Sequence, residues 1–253
     1  MTLRLRTAVL SDLGLLRSNN EDAAHAGRRI LAVADGIGGA PAGELASDIV
    51  IRALRGLEDG AEPDDPEEAL RAALAEANRQ IERAASDDPA RQGMGTTITA
   101  LMVTGDRFVL LHVGDSRGYL LRDGTLTRLT RDDTFVQELV DRGVIDAADV
   151  RDHPQRSIIT QAVQGGEFDA SVTALTPRTG DRYLLCSDGL SDYVSEESIG
   201  QALALCPEPQ PCTERLVRLA LRASAPDNVT VLVCDVVHAE ITERGGLSGV
   251  SAG

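Results

Sequence analysis

Apolar residues recur every three or four positions in two segments of the chain, which is the spacing of one helix face. The first segment holds Leu45, Ile49, Ala53, Leu54 and Leu57, and the second holds Leu70, Leu74, Ala77 and Ile81. Pro66 stands near the start of the second segment, where proline is favoured. The acidic stretch from Glu58 to Asp65 is then predicted to be the turn of a helical hairpin.

Apolar runs bounded by turn residues predict strands on both sides of this hairpin. They cover residues 30–34, 97–103, 108–113, 118–121, 125–129, 171–176, 182–187 and 229–236, and the alternation over residues 1–6 suits a half-exposed strand. Asp123-Gly124 lies between two runs and is typical of a hairpin turn. Two more helices are predicted over residues 196–205 and 213–223. Short links between consecutive strands favour antiparallel sheets with helices outside, an α+β layered domain.

One region departs from the regular pattern. Residues 130–156 combine an amphipathic piece around Phe135 and Leu139 with a charged stretch that ends in His153-Pro154-Gln155-Arg156. We interpret this region as a surface loop, and loops of this length often cover a functional site. The small and polar residues 245–253 are predicted to fray.

Composition narrows the classes of function. The formal net charge of −15 disfavours binding to nucleic acid or to an anionic membrane surface. The apolar runs are much shorter than the roughly 20 residues that span a bilayer, and the N-terminus lacks the apolar stretch of a secretory signal. We therefore expect a cytoplasmic protein. The four cysteines have no metal-ligand spacing and are expected to be ordinary buried residues.

Aspartates stand where several predicted strands begin or end. Asp35 and Asp188 each follow a long apolar run and precede glycine, Asp115 follows a third run, and Asp227 precedes the last one. Asp-Gly is common turn chemistry, so each position alone has an ordinary structural explanation. If the four carboxylates meet at one edge, protons or divalent cations must offset their repulsion. An all-oxygen set favours Mg²⁺ or Mn²⁺ over zinc.

Gly114-Asp115-Ser116-Arg117-Gly118 also matches the nucleophile elbow of serine hydrolases. That elbow requires a helix after the serine. Here the residues that follow predict a strand and a hairpin turn. A serine hydrolase based on Ser116 is therefore disfavoured, although it remains a hypothesis to test.

The chain resembles the metal-dependent protein phosphatases, the type 2C or PPM family of serine/threonine phosphatases, in its bacterial form. The resemblance extends from about Leu3 to Val237 and rests on motifs in the family's order. They are Ser11-Asp12-Leu13-Gly14, Arg17 to Asp22, Ala32 to Gly39, Gly43-Glu44 with Ala46-Ser47, Gly93 to Thr97, Val113 to Arg117, His153 to Arg156, Ser187 to Leu190 and Asp227 to Thr230.

The resemblance implies a four-layer α/β/β/α sandwich with a binuclear Mg²⁺ or Mn²⁺ centre and sometimes a third ion. The phosphatase domain would cover residues 1–240, with a mobile flap over residues 132–156 and a flexible tail over residues 241–253. The resemblance also implies roles for single residues. Asp35 would bridge the two ions, the backbone carbonyl of Gly36 would bind one of them, and Asp188 and Asp227 would bind the other. Glu21 and Asp22 would hold metal-bound waters, Asp115, Asp188 and the backbone of Ser157 would bind a third ion, and Arg17 would bind the phosphate.

The implied activity is hydrolysis of phosphoserine and phosphothreonine in proteins by a water activated between two metal ions, with no covalent phosphoenzyme. The partners would be phosphoproteins made by serine/threonine kinases, and the acidity of the chain suggests basic residues around their phosphates. A non-catalytic phosphoprotein-binding module on the same fold is the alternative. Two positions depart from the family pattern. Ile37 stands where the animal members have histidine, and Asp132-Asp133-Thr134 stands at the start of the flap where the family often has Asp-His-Ser.

Overall fold

The computed structural model describes residues 3–38 and 42–238. They contain two five-stranded antiparallel sheets. The strands of the first sheet, in spatial order, are β1 (Leu3–Asp12), β12 (Val229–His238), β11 (Arg182–Cys186), β8 (Arg117–Arg122) and β9 (Thr125–Arg128). Those of the second are β10 (Ser171–Leu175), β7 (Arg107–Val113), β6 (Ile98–Thr104), β3 (Ile30–Ala34) and β2 (Ala23–Ala26). A small separate pair joins β4 (Gly36–Ile37) and β5 (Gly95–Thr96).

Helices cover the outer face of each sheet. The described helices are α1 (Ala42–Arg55), α2 (Pro66–Asp87), α3 (Phe135–Asp141), α4 (Asp188–Ser191), α5 (Glu196–Leu205) and α6 (Pro209–Arg222). The first two form a hairpin on the second sheet, and the last two pack on the first. This arrangement confirms the predicted α/β/β/α sandwich.

Three apolar layers hold the sandwich together. The layer between the sheets includes Phe108 and Tyr183, whose ring centroids lie 5.3 Å apart. Strand residues alternate between this layer and the outer ones, so that Leu31 and Val33 face the opposite sheet while Ile30 faces the helical hairpin. Strands β3, β6, β7, β11 and β12 are buried over nearly their whole length, which explains their nearly continuous apolar runs.

Local signals account for most element boundaries. Asp65 caps α2 by accepting a hydrogen bond from the Glu68 backbone N–H, and Pro66 occupies the first helical turn. Asp123 and Gly124 both have positive φ in the tight turn between β8 and β9, as the hairpin signal predicted. Helix α6 begins at Pro209, four residues before the predicted start.

The short strands β2, β4 and β5 and the single-turn helix α4 were not predicted. The predicted tail over residues 241–253 lies outside the described residues. Within the described ranges, no helix is long and apolar enough to cross a bilayer. The four cysteines are buried free thiols, as expected.

Candidate active site

Five aspartates gather at one end of the two sheets. Asp35 follows β3 and Asp115 follows β7 in the second sheet, whereas Asp188 follows β11 and Asp227 precedes β12 in the first. Asp22, directly before β2, completes the set. Burial raises the pKa of Asp35 well above its ordinary value, and the charges of the other four aspartates raise it further. The predicted set is therefore close enough to interact strongly.

Three other aspartates of the set, Asp188, Asp115 and Asp22, also have raised pKa values. Burial is the main cause that raises the pKa of Asp188, followed by the charges of Asp115 and of Asp192. Burial and the Asp132 and Asp192 charges raise the pKa of Asp115 to about 7. Burial also raises the pKa of Asp22 to about 6, against the hydrogen bonds that its carboxylate accepts. Such a site needs protons or cations to offset its charge.

The donor set fits a hard divalent cation. All the candidate ligands are carboxylate or carbonyl oxygens, and Asp22 Oδ1 is buried without a hydrogen-bond partner in the described part of the chain. No group of three or more His, Cys, Asp or Glu side chains in that part is arranged as a cluster that could hold a metal ion. Magnesium sites commonly use one or two carboxylates and complete the shell with water, so a closed cluster is not required. Direct ligation by each aspartate stays a prediction.

Arg17 lies at the rim of this carboxylate site. Its Nη2 donates a hydrogen bond to Asp227 Oδ2 at 2.8 Å, and the side chain is about half exposed. The bond to Asp227 raises the pKa of Arg17, and the charges of Glu21 and Asp35 add to this effect. The structure therefore places the predicted phosphate ligand beside the predicted metal ligands.

Polar side chains from distant segments hold the site in place. Ser187 Oγ donates to Asp22 Oδ2 at 2.8 Å and accepts from the Thr230 backbone N–H at 2.9 Å. Asn228 accepts from the Glu21 N–H at 2.9 Å and donates to the carbonyls of Leu13 and Asn19. The loop that carries Arg17, Glu21 and Asp22 is thereby tied to the start of β12. The Asp227-Asn228 motif had signalled a carboxylate only, and this tethering role of the asparagine was missed.

Two glycines of the motifs are required by close backbone contacts. A Cβ on Gly189 would lie 1.9 Å from the Asn228 carbonyl oxygen, and one on Gly36 would lie 2.4 Å from the Gly43 carbonyl oxygen. The sequence suggested that glycines after Asp35 let a ligand approach. At Gly36 the atoms that approach belong to α1 and to residue 21 instead.

Two further predicted site residues are Glu21 and Ser157. Glu21 is buried, and its backbone carbonyl accepts from the Gly36 N–H at 3.2 Å and from Ser47 Oγ at 2.6 Å. Ser157 is exposed and forms no hydrogen bond with Asp115 or Asp188 in the described residues. Its part in a third metal site stays a prediction.

The region predicted as a flap has a fixed base. It contains α3 and a short 3-10 helix over Ala147–Asp152. Asp132 forms a buried ion pair with Arg117, with 2.7 Å between Arg117 Nη2 and Asp132 Oδ2, and a second one with Arg128. Asp133 accepts from the Gly114 N–H at 2.9 Å and donates its own N–H to the Gly114 carbonyl at 2.7 Å. Where the family often has histidine, this chain thus has an aspartate that ties the start of this region to the loop of Asp115.

Asp192 is a neighbour of the site that the sequence analysis missed. It lies just after α4, where its N–H donates to the Asp188 carbonyl at 2.8 Å. Its charge contributes to the raised pKa of both Asp115 and Asp188. The single turn of α4 brings positions 188 and 192 onto one face, and the spacing of four residues between the two aspartates was the sequence signal that could have revealed it.

The serine hydrolase hypothesis fails on geometry. Ser116 is fully buried, its Oγ is hydrogen-bonded to Thr97 Oγ1, and β8 follows it where an elbow needs a helix. His112 contacts Thr99 and the Arg131 carbonyl rather than this serine. His153 accepts a hydrogen bond from the Gln155 N–H within its own turn. No histidine in the described ranges is paired with Ser116 as a base.

Comparisons with known proteins agree with this geometry. The family model described as protein phosphatase 2C matches residues 17–222. The serine/threonine protein phosphatase PstP of Mycobacterium tuberculosis is 53% identical over 237 residues, which are 94% of this chain and 46% of that protein. This chain thus spans about half the length of that relative. The serine/threonine phosphatase stp of Listeria monocytogenes is 33% identical, over 93% of this chain and 96% of that one.

Solved structures give the same answer. The crystal structure of the PstP catalytic domain in complex with two manganese ions superposes with a TM-score of 0.88 at 51% identity. The superposed region covers 94% of this chain and 100% of the PstP chain. The match over residues 17–222 agrees with the sheet topology and the carboxylate site, and it shows that the chain belongs to the protein phosphatase 2C family.

Proposed function

We propose that this chain is a metal-dependent protein phosphatase that hydrolyses phosphoserine and phosphothreonine in proteins. The observation that carries the proposal is the gathering of Asp22, Asp35, Asp115, Asp188 and Asp227 at one end of the two sheets, where burial and then the charges of neighbouring aspartates raise the pKa values of Asp35 and Asp188. The relatives named as serine/threonine phosphatases, and the manganese ions in the PstP structure, support the same activity.

The proposed ligands divide between two Mg²⁺ or Mn²⁺ ions. Asp35 would bridge them, the Gly36 carbonyl would complete one side, and Asp188 and Asp227 would hold the other. Asp115, Asp188 and the Ser157 backbone would hold a third ion, and Glu21 and Asp22 would orient waters around the centre. When bound, the ions supply positive charge for the phosphate oxygens and activate water for attack on phosphorus.

Arg17 is proposed to bind and orient the phosphate. Only one of its five N–H donors is engaged by Asp227, so the guanidinium retains donors for a phosphate group. The planar fork suits bidentate binding to phosphate oxygens. Its pairing with Asp227 holds the side chain at the rim of the site, where a phosphorylated residue would enter.

We further propose a cytoplasmic location and substrates made by serine/threonine kinases. The four buried free thiols support a reducing compartment. The relatives, which are named as serine/threonine phosphatases, support phosphoproteins as the substrates.

Purified protein tests the proposal directly. With Mn²⁺ it should hydrolyse p-nitrophenyl phosphate and a phosphothreonine peptide, and EDTA should abolish both activities until Mn²⁺ is restored. Activity that survives chelation would refute metal dependence. Calorimetric binding of Mn²⁺ and of the phosphopeptide without any turnover would instead identify a non-catalytic binding module.

A further inference from the structure

Helix α6 presents an arginine face in an otherwise acidic protein. Arg215, Arg218 and Arg222 follow one another at helical spacing and line a shallow hollow of about 170 Å³ together with Leu219. All three arginines are exposed. Within residues 3–38 and 42–238, none of them forms an ion pair or a hydrogen bond through its side chain. Other arginines in the described part of the chain, such as Arg6, Arg117 and Arg182, form ion pairs, whereas this face retains positive charge for a partner.

Exposed leucines form a second feature, in the loop between β1 and β2. The exposed fractions of Leu13, Leu15 and Leu16 are 44%, 56% and 80%. Single exposed leucines are ordinary on protein surfaces. Three of them within four residues form a small apolar patch, and such patches mark contact sites more often than isolated residues do.

Backbone hydrogen bonds join the two features. The Leu15 and Leu16 N–H groups donate to the carbonyls of Ala225 and Pro226, at 3.0 and 3.1 Å, in the turn that leaves α6. The Ala225 N–H in turn donates to the Ala220 carbonyl at 3.0 Å. The next residues along the two segments are Arg17 and Asp227, which pair at the rim of the active site. The leucines therefore lie between the active-site rim and the C-terminal end of the arginine face.

We propose that these two neighbouring features, the leucines Leu13, Leu15 and Leu16 and the arginines Arg215, Arg218 and Arg222, together form a docking surface for the segment that flanks the phosphorylated residue of a protein substrate. An apolar substrate side chain contacts the leucines, and acidic substrate residues further along contact the arginines. The inference rests on the proposed phosphatase function and adds a substrate preference to it.

Charge complementarity decides the class of occupant. Unpaired guanidinium groups bind carboxylates through paired hydrogen bonds, and they repel basic segments. The net charge of the whole chain suggested basic substrate flanks. Close to the site, the local charge of α6 governs instead, because salt screens charges beyond roughly 8–10 Å.

A set of phosphothreonine peptides tests this preference. The peptides share one core with leucine beside the phosphothreonine. Each carries an acidic, neutral or basic run about five residues from the phosphothreonine, which is roughly 17 Å along an extended chain. Each run is placed on the N-terminal side in one peptide and on the C-terminal side in another. At low salt we expect kcat/KM for the best acidic peptide to exceed that of its neutral counterpart by about fivefold, as exposed charge pairs allow. The ratio should approach one in high salt.

The double variant Arg218→Glu/Arg222→Glu should reverse this order, and Arg218→Gln/Arg222→Gln should remove it. Arg55→Glu is the matched control, because Arg55 is also an exposed arginine in the last turn of a 14-residue helix. It should keep the wild-type ratio. Leu16→Ser should lower kcat/KM by about threefold for peptides with leucine beside the phosphothreonine, relative to peptides with serine there.

The outcomes separate this inference from the proposed function. If no peptide and no p-nitrophenyl phosphate is hydrolysed with Mn²⁺, the proposed function is wrong. If all peptides are hydrolysed at equal kcat/KM, or if the α6 variants keep the wild-type ratio, the enzyme stands and the docking surface is wrong. A changed sedimentation coefficient of the α6 variants with unchanged peptide ratios would assign the face to self-association and overturn the proposal.

Discussion

Arg17 and Asp227, which are 210 positions apart in the chain, form an ion pair with 2.8 Å between Nη2 and Oδ2. The pair fastens the loop after β1 to the start of β12 at the rim of the carboxylate site. It also means that the residue proposed to bind phosphate and a residue proposed to bind a metal ion share a contact. When substrate and metal bind, the phosphate would contact Arg17 and the cation would contact Asp227.

Substitution of Arg17 should therefore reduce catalysis more than metal binding. Arg17→Ala removes charge-assisted hydrogen bonds worth about 1.5–3 kcal/mol, so kcat/KM for p-nitrophenyl phosphate should fall by roughly 10- to 150-fold. Arg17→Lys should recover part of the loss, because lysine keeps the charge but cannot bind two phosphate oxygens with a planar fork. Steady-state kinetics and Mn²⁺ calorimetry on the same preparations measure both effects. Equal losses of Mn²⁺ affinity and of kcat/KM would show that Arg17 acts only through Asp227.

Asp35→Asn should separate stability from activity. The wild-type carboxylate is partly buried and interacts with the charges of four other aspartates, so a neutral amide relieves repulsion and should raise the melting temperature in EDTA. The same change removes the proposed bridging charge and should abolish phosphatase activity and most of the Mn²⁺-induced rise in melting temperature. A variant that melts lower than wild type in EDTA would mean that Asp35 is stabilising rather than repelled in the metal-free protein.

The pH dependence of the metal-free protein follows from the raised pKa values. Asp22 and Asp115 have folded pKa values of about 6 and about 7, above the value of about 4 for an unfolded aspartate. Both groups bind protons more tightly when folded, so their contribution is full below pH 4 and is lost as the pH rises through 6 and 7. In EDTA we expect the free energy of unfolding to fall between pH 5.5 and 8, by an amount on the order of a few kcal/mol.

Denaturation in EDTA at several pH values measures this fall, with Asp115→Asn as the control. His112, whose pKa is lowered by burial, acts in the opposite direction below about pH 6.5 and is present in both proteins. The variant should show a smaller fall between pH 6.5 and 8. Mn²⁺ should stabilise the wild type more at pH 8 than at pH 5.5, because it competes with protons for the carboxylates. Identical pH profiles for wild type and variant would contradict the raised pKa of Asp115.

Local patterns in the sequence were sufficient to predict the sheets and the aspartates at their ends. Apolar runs identify buried strands, and antiparallel pairing then gathers the strand ends at common edges. Strand β2 was missed because its sequence, Ala-Ala-His-Ala, has no β-branched residue, and its edge position depends on pairing with β3. The start of α6 was placed late because its apolar spacing begins at Cys212, although Pro209 is a recognised first-turn residue.

Contacts between distant segments could not be predicted in the same way. The Arg17–Asp227 pair and the tethering of the Glu21 loop by Asn228 depend on how β1 and β12 pair, not on any local pattern. The role of Asp192 depends on the single turn of α4. The motifs predicted which residues carry the chemistry, whereas the packing determines which of them share a hydrogen bond or interact electrostatically.

The position of Asp115 allows its proposed metal role to be tested against a purely structural one. Aspartate is also a common turn residue, so Asp115 could serve only in the turn after β7. In the structure that turn is held by Asp133, whose carboxylate and backbone both bond to Gly114. Asp115 is buried instead beside the charges of Asp132 and Asp192, which help to raise its pKa. A buried carboxylate under such repulsion costs stability unless a cation or a proton offsets it.

Asp115→Ala should therefore leave the melting temperature in EDTA unchanged or higher, and should keep two of the proposed ions bound. Phosphopeptide kcat should fall by about tenfold, because the third ion would no longer help to position a reacting group. Asp133→Ala is the matched control: it removes the turn's hydrogen bond and should lower the melting temperature by an amount that corresponds to about 1–3 kcal/mol. Melting temperature, metal stoichiometry and kcat measured on one preparation distinguish the two roles. A lowered melting temperature with wild-type kcat in Asp115→Ala would assign this residue to the turn and remove it from the active site.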